Sequence, residues 1–278
     1  MEVRFERLGL VLKGSKRAVL SDVSGTLSPG TLTGVMGPSG CGKTSFLHSL
    51  LGRATYGDRT GEVFVNGKPA RLSRYRAVMG FVPQDDIMPR LLTVEENLVF
   101  SAQYRLPRAY TRSDIATTVE RAIRILGLED IRDSVIGDED TRGVSGGQRK
   151  RVNIGLELVA DPAMLFCDEP TSGLDSTGAR LVVRALRRVA RTGVTIAVVL
   201  HAPSYEVFDM FDSFLLLGPG GRTVFWGESC KLPDYFRSLG FSPPLIGNPA
   251  DFYLDVIAGQ RSRSSSSEGG GGGGGGGG

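Results

Sequence analysis

Cysteine, tryptophan and histidine are scarce in this chain of 278 residues, which has three, one and two of them. Cys41, Cys167 and Cys230 are widely spaced and odd in number, so they can form neither a disulfide framework nor a paired-cysteine metal knuckle, and they suit a reducing compartment. No long block of one charge sign is present. Lys and Arg number 33 against 30 Asp and Glu, for a net charge of +3, and the electrostatic footprint of a dedicated nucleic-acid binder is missing. Long apolar runs are missing too. Val194–Leu200 and Phe214–Leu217 fall far short of the roughly 20 residues a helix needs to span a bilayer, so this stretch alone is expected to be soluble. The start, MEVRFERLGLVLKGSKR, alternates charged with apolar residues and lacks a signal-peptide core. What remains is ordinary globular usage, 40% hydrophobic and 23% charged, enough for one large or two small domains. Glycine stands out at 39 residues, but ten form the run Gly269–Gly278, which with the serines after Arg261 reads as a disordered tail over 261–278.

The first third of the chain reads as short strands at Phe5–Leu12, Ala18–Leu27, Thr31–Met36 and Glu62–Val65. From Thr93 the periodicity becomes helical. Thr93 to Glu96 is a capping box, and Ser113 precedes Ile115, Val119, Ala122, Ile123 and Leu126 at helical spacing before Gly127 stops the run. After Ser145 helices and buried strands alternate: a helix to Ala160, a strand at Ala163–Cys167, a helix from Asp175 to about Ala190 and a strand at Val194–Leu200. Alternation of this kind predicts an α/β core with a mixed or parallel sheet. An antiparallel β subdomain from the amino-terminal strands and a helical insertion over about 90–145 complete the expected architecture.

The chemistry begins at Gly37-Pro38-Ser39-Gly40-Cys41-Gly42-Lys43-Thr44, which fits G-x-x-x-x-G-K-[ST] in full. It follows a strand and opens a helix whose Phe46, Leu47, Leu50 and Leu51 share one face. Glycines let successive backbone N–H groups point at phosphate oxygens, the helix amino terminus adds its dipole, and Lys43 can reach the β and γ phosphates. Thr44, with Ser45 next in line, offers a hydroxyl to Mg²⁺. The strand Ala163–Cys167 ends in Asp168 and Glu169, at the edge where α/β sheets place ligands. Asp168 there can hold Mg²⁺ and Glu169 can orient or deprotonate an attacking water.

Val144-Ser145-Gly146-Gly147-Gln148-Arg149-Lys150-Arg151 is a capping box opening an amphipathic helix with Val152, Leu156 and Val159 inward. It also resembles the signature of ATP-binding cassette ATPases. Gln84 after Phe81-Val82-Pro83 resembles that family's Q-loop, Gly173-Leu174-Asp175-Ser176 its D-loop, and His201 its switch histidine. PQDDIMPRLLTVEENL from Pro83, DEPTSGLDS from Asp168 and NPADFYLD from Asn248 resemble the G subfamily, the white or pigment-precursor type.

The resemblance implies an ATP-binding domain over 1–260 that pairs head to tail with a second nucleotide-binding domain. Two MgATP would lie between P-loop and partner signature, and hydrolysis would drive export of a lipid, sterol or other hydrophobic substrate. Ser145, Gly146, Gly147, Gln148 and Asp175 would then serve the partner's nucleotide. Gln84 would sense Mg²⁺, and His201 would hold the γ phosphate, Glu169 and water in line. The subfamily places a transmembrane domain after the ATPase, and that domain is expected to be absent from this chain. Membrane contact, at a cytoplasmic face, would come only through it, and no nucleic acid is implied. A soluble cassette ATPase or a truncated regulatory subunit is the alternative. Where many cassettes stack an aromatic on adenine, this sequence has Leu10, Val11 and Leu12, which favours apolar packing. Arg184, Arg187, Arg188 and Arg191, opposite Leu181, Ala185, Leu186 and Val189, read as a solvated face. Arg149–Arg151 reads similarly, with a touch on nucleotide or partner and plain charge complementarity beside phosphate both open, His48 reads as structural, and Cys41 either as an oxidisable thiol or as a small filler.

Overall fold

A computed structural model describes residues 1–137, 143–244 and 247–261. The tail expected after Arg261, and the part of the expected insertion at 138–142, lie outside the described residues apart from Arg261 itself.

Val3–Leu12 (β1) and Ala18–Leu27 (β2) pair antiparallel. Leu32–Met36 (β3) is buried at all five positions, as befits a strand covered on both faces. It lies in a second sheet, between β9 and β8, and not in the amino-terminal one. Lys43–Leu50 (α1) follows, then Gly57–Val65 (β4) and the two-residue Lys68–Pro69 (β5), giving a four-stranded sheet of order β2-β1-β4-β5. β4 starts before the Glu62 read from the sequence because its first half, Gly-Asp-Arg-Thr-Gly, is held by backbone pairing to β1 and carries no apolar alternation. Gly61, at φ +85, sits where the β1–β4 register slips.

The rest of the chain runs through Met79–Val82 (β6), Val94–Arg105 (α2), Arg112–Leu126 (α3), Gly146–Leu158 (α4) and Met164–Asp168 (β7). Ser176–Ala190 (α5), Thr195–Val199 (β8), Tyr205–Phe208 (α6), Ser213–Gly218 (β9), Arg222–Glu228 (β10), Leu232–Ser238 (α7) and Pro249–Ile257 (α8) complete it. The second sheet has the order β10-β9-β3-β8-β7-β6, parallel throughout except for the β9–β10 hairpin. Alternation along its strands sorts side chains into two cores. Val35, Phe166, Ala197, Val199 and Leu215 pack with α1 and the antiparallel sheet, whereas Met36, Leu165, Cys167, Val198 and Leu216 pack against the helices on the other face.

Thr93 caps α2 in a reciprocal box with Glu96. The cap of α3 is Thr111, not a residue at Ser113, because Thr111 can exchange hydrogen bonds with Asp114 three residues on: its hydroxyl accepts from the Asp114 N–H, and its own N–H donates to the carboxylate at 2.8 Å. Gly127, at φ +62, ends that helix. On α5 the buried stripe is Val182, Val183, Ala185, Leu186 and Val189; Leu181 falls outside it and is 38% exposed, contrary to expectation.

Phe46 joins the two sheets, fully buried and edge-on to Phe5 with ring centroids 5.1 Å apart. Phe46→Ala should cost about 3–5 kcal/mol of unfolding free energy, seen as a lower urea midpoint at unchanged slope. A loss under about 1 kcal/mol would mean the layers do not depend on this seat.

Candidate functional site

Register brings the site together. On β8, Val199 pairs with Val35 of β3 on one side and Asp168 of β7 on the other, while Val82 of β6 lies opposite Cys167. Parallel strands end at one edge. Gly37, Gln84, Glu169 and His201 each follow their strand by one or two residues and leave the sheet at that edge.

The glycine-rich loop needs its glycines. Gly40 and Gly42 have φ of +74 and +100, and a Cβ on Gly37 would strike the Leu217 carbonyl and the Cys41 thiol. Lys43 is 7% exposed, and its ammonium donates to the carbonyls of Gly37 at 2.9 Å and Pro38 at 3.2 Å. Ser39, Gly40, Gly42, Lys43, Thr44 and Ser45 line a cleft of about 440 Å³, faced by Glu169 and His201. Cys41 is turned inward at 4% exposure, and burial pushes its thiol up, only partly offset by the charge of Lys43. It fills space, which favours that reading over the oxidisable one.

Two acids stand opposite the loop. Asp168 is 6% exposed and accepts a hydrogen bond from the Thr44 hydroxyl at 3.1 Å. Burial pushes its carboxyl up, with the Thr44 bond pulling the other way. Glu169 takes a left-handed backbone, φ +47, with its N–H donating to the Val199 carbonyl at 3.2 Å. Its carboxylate accepts from the Gln84 side-chain amide at 3.4 Å. His201 is exposed, and the next residue, Ala202, is also left-handed at φ +41.

Ser145, Gly146, Gly147, Gln148 and Asp175 do not line this cleft. Ser145 caps α4 in a reciprocal box with Gln148, and Ser145 and Gly146 are exposed. Asp175 caps α5 by accepting from the Gly178 N–H at 3.1 Å. The two helix starts cross closely: a Cβ on Gly147 would lie 3.2 Å from the Gly178 Cα.

Four residues were not legible as parts of the site. Val19 lines the cleft, while Leu10 belongs to the core. Asn248 caps α8 and donates to the Pro203 carbonyl at 2.8 Å, tying down the loop after His201. Lys150 and Asn153 face inward on α4. Lys150 is 4% exposed and bonds Asp86 and the Gln84 carbonyl, so it is an internal tie and not the surface complement its charged run suggested. Its spacing to Asn153, Ile154 and Leu158, all buried, was the available signal. Arg151 likewise turns inward to the carbonyls of Leu126 and Gly127, closing the end of α3.

The buried carboxyl of Asp168 has a consequence for stability. A raised carboxyl in the fold means the folded chain holds its proton more tightly than the unfolded chain, so the ionised form is a net cost above that range and the cost vanishes as pH falls through it. Without divalent cations, Asp168→Asn should melt higher than wild type at neutral pH, and the gap should close on acidification. Parallel melting curves at both pH values check this, and a gap that widens in acid contradicts it.

Comparison with known proteins agrees with this geometry. Residues 20–172 match the ABC transporter family, and residues 201–270 match the ABC-2 type transporter family. The chain is 50% identical over 259 residues to ABC transporter G family member 28 of Arabidopsis thaliana, covering 93% of this chain and 23% of that protein. It is 48% identical over 251 residues to ABC transporter G family member 25 of Oryza sativa subsp. japonica, covering 90% and 25%. To the broad substrate specificity ATP-binding cassette transporter ABCG2 of Rattus norvegicus it is 43% identical over 253 residues, covering 91% and 38%. It thus spans well under half the length of these relatives. Among the described residues no helix is long and apolar enough to cross a membrane. With a complete glycine-rich phosphate loop, a strand-end acid pair and this match over more than half its length, the chain belongs to the ABC transporter family and is similar to its G members.

Proposed function

We propose that this chain is the ATP-hydrolysing motor of a G-type transporter, working as a head-to-tail pair that encloses two MgATP. The observation that carries the reading is a division of parts. The phosphate loop, Glu169 and His201 line one cleft, with Asp168 bonded to Thr44 and Gln84 to Glu169, while the start of α4 at Ser145 and Gly146 lies outside that cleft, exposed. Such an end attracts a phosphate, and in one chain it has none of the cleft's groups beside it.

Asp168 and Thr44 suit Mg²⁺. They are hard oxygen donors 3.1 Å apart, and the desolvation of the buried carboxylate is only partly offset by the Thr44 hydroxyl and the charges of His48 and Lys43. No larger cluster of metal-binding acids, histidines or cysteines occurs among the described residues, which fits an ion that takes its other ligands from water and phosphates. When bound, Mg²⁺ neutralises charge on the phosphate oxygens.

The chain's own groups divide the remaining work. Lys43 would exchange the Gly37 and Pro38 carbonyls for phosphate oxygens, and the N–H groups from Gly37 to Ser45 would hold the phosphates. Glu169 would accept the proton of the attacking water. The Gln84 amide holds that carboxylate in place, and His201 would face the γ phosphate across the cleft. Val19 would give the base an apolar contact where no aromatic is present. Residues 1–260 would form the ATP-binding domain, with α2 and α3 as the helical insertion within about 90–145.

For a membrane domain as second partner, the support is exposed apolar surface on the segment after Gln84 and on α2. Ile87 is 73% exposed, Leu91 80%, Phe100 52% and Tyr104 79%, with the last two rings 5.0 Å apart. That surface would sit against the transmembrane portion at the cytoplasmic face, and the cargo would be a lipid, sterol or other hydrophobic molecule.

ATPase activity per chain should rise with protein concentration as pairs form, and a flat dependence would sink the composite site. Glu169→Gln should lower turnover about 10²- to 10⁴-fold while MgATP drives the variant into a dimer. Light scattering that finds only monomer with MgATP would remove the role given to Glu169.

A further inference from the structure

The loop that carries Gln84 is held from below by the helix that begins at Ser145. Lys150, five residues along α4 from its cap, places its ammonium 2.6 Å from the Asp86 carboxylate and donates to the Gln84 carbonyl at 2.7 Å. Asn153, on the same face, donates to the Asp86 carboxylate at 3.2 Å and to the Asp85 carbonyl at 3.4 Å. Three consecutive residues of the loop are therefore bound by two side chains of one helix. The pair is deeply placed, with side chains 5% and 16% exposed.

Burying an ion pair is a poor way to glue a helix to a loop. Desolvation of both charges consumes most of their attraction, and an apolar pair of similar size holds such a contact as well or better. What the ion pair adds is position. A lysine that must satisfy one carboxylate and one carbonyl together fixes the loop backbone at Gln84, and the side chain of Gln84 is the group that meets Glu169.

We propose that Lys150 is a positioning residue for ATP hydrolysis, tying the start of α4 to the backbone of Gln84 so that a load on Ser145–Gln148 reaches Glu169 of the same chain. This rests on the head-to-tail reading above. In that pair the two ends of the tie belong to different nucleotides: Ser145–Gln148 face the partner's, and Gln84 with Glu169 face the chain's own. A nucleotide clamped in one site then sets the reach of Gln84 in the other, and the two sites hydrolyse cooperatively.

The test uses the full chain and three variants: K150M, K150R and the double variant K150M/D86L, which removes both charges and leaves no lone buried ion. In the double variant kcat should fall about ten- to a hundredfold, as for a small misplacement of a reacting group, with KM for ATP little changed. Cooperativity in ATP should disappear, and K150R should restore much of both. Amide exchange over residues 84–86 should quicken while α4 and β7 keep their protection. The proposal is overturned if the double variant keeps its kcat and cooperativity, if exchange at 84–86 is unchanged, or if α4 and β7 loosen together with the loop. A wild-type chain without ATPase activity would instead overturn the proposed function, and the exchange comparison, which needs no turnover, would still decide whether Lys150 holds Gln84.

Discussion

The pairing of β8 with β3 on one side and β7 on the other is the constraint on which the site depends. Val199 faces both Val35 and Asp168, so the three segments that follow those strands leave the sheet side by side. Because side chains alternate along a strand, a slip of one residue would turn Asp168 from one face to the other and exchange the two cores. The residues of β8, all five buried and four of them apolar, therefore do more than fill space. Their preference for one face or the other fixes where a carboxylate and a hydroxyl meet, at 3.1 Å, from positions 124 residues apart in sequence.

Holding polar groups at that edge has local costs. Glu169, directly after β7, and Ala202, next to His201 beyond the end of β8, are both left-handed without being glycine. Such residues are strained by on the order of 1–3 kcal/mol and persist where the surroundings overdetermine them. For Glu169 the surroundings are visible: its N–H is held by Val199 and its carbonyl accepts from the Ser172 N–H. Asp168 bears a different cost, desolvation, and Lys43 is drawn across backbone carbonyls. Strain, a raised carboxyl and a cation on carbonyls are separate signs of a site organised for a charged ligand.

How much of this could be read from the chain depended on whether the signal was local. The phosphate loop was legible because its glycines, lysine and threonine are contiguous and sit between a strand and a helix. Asp168 and Glu169 were legible as an acidic strand end, but the bond from Gln84 to Glu169 spans 85 residues and only family resemblance drew attention to Gln84. At α3, Thr111 and Ser113 are both possible caps, and only the acid three residues after Thr111 decides between them. β3 was legible as a strand before the phosphate loop, but its place between β9 and β8 was not, because strand periodicity gives a strand's faces and not its neighbours. Lys150 was hidden by its flanks: between Arg149 and Arg151 it looks like one of a charged run, and burial against Asp86 depends on a loop more than 60 residues upstream.

The bonds made by α4 also explain why its start and Gln84 should move together. On one side Arg151 closes the end of α3. On another, Ser101 and Arg105 of α2 donate to the Leu156 carbonyl, and Arg105 pairs with Glu157 at 2.7 Å. Glu157 in turn accepts from the Phe81 N–H of β6 at 3.1 Å. Gly155 brings α4 against α2 so closely that a Cβ there would lie 2.7 Å from a methyl of Leu98. Directional bonds of this kind tolerate little sliding, unlike an apolar contact, which can shift by a fraction of an ångström at small cost. Helices α2, α3 and α4 are thus bound into one body. Lys150 and Asn153 extend that body to the loop bearing Gln84, and Glu157 extends it to the strand before the loop. These bonds run without a break from the α4 helix that begins at the exposed Ser145 to the loop and the strand that border the cleft.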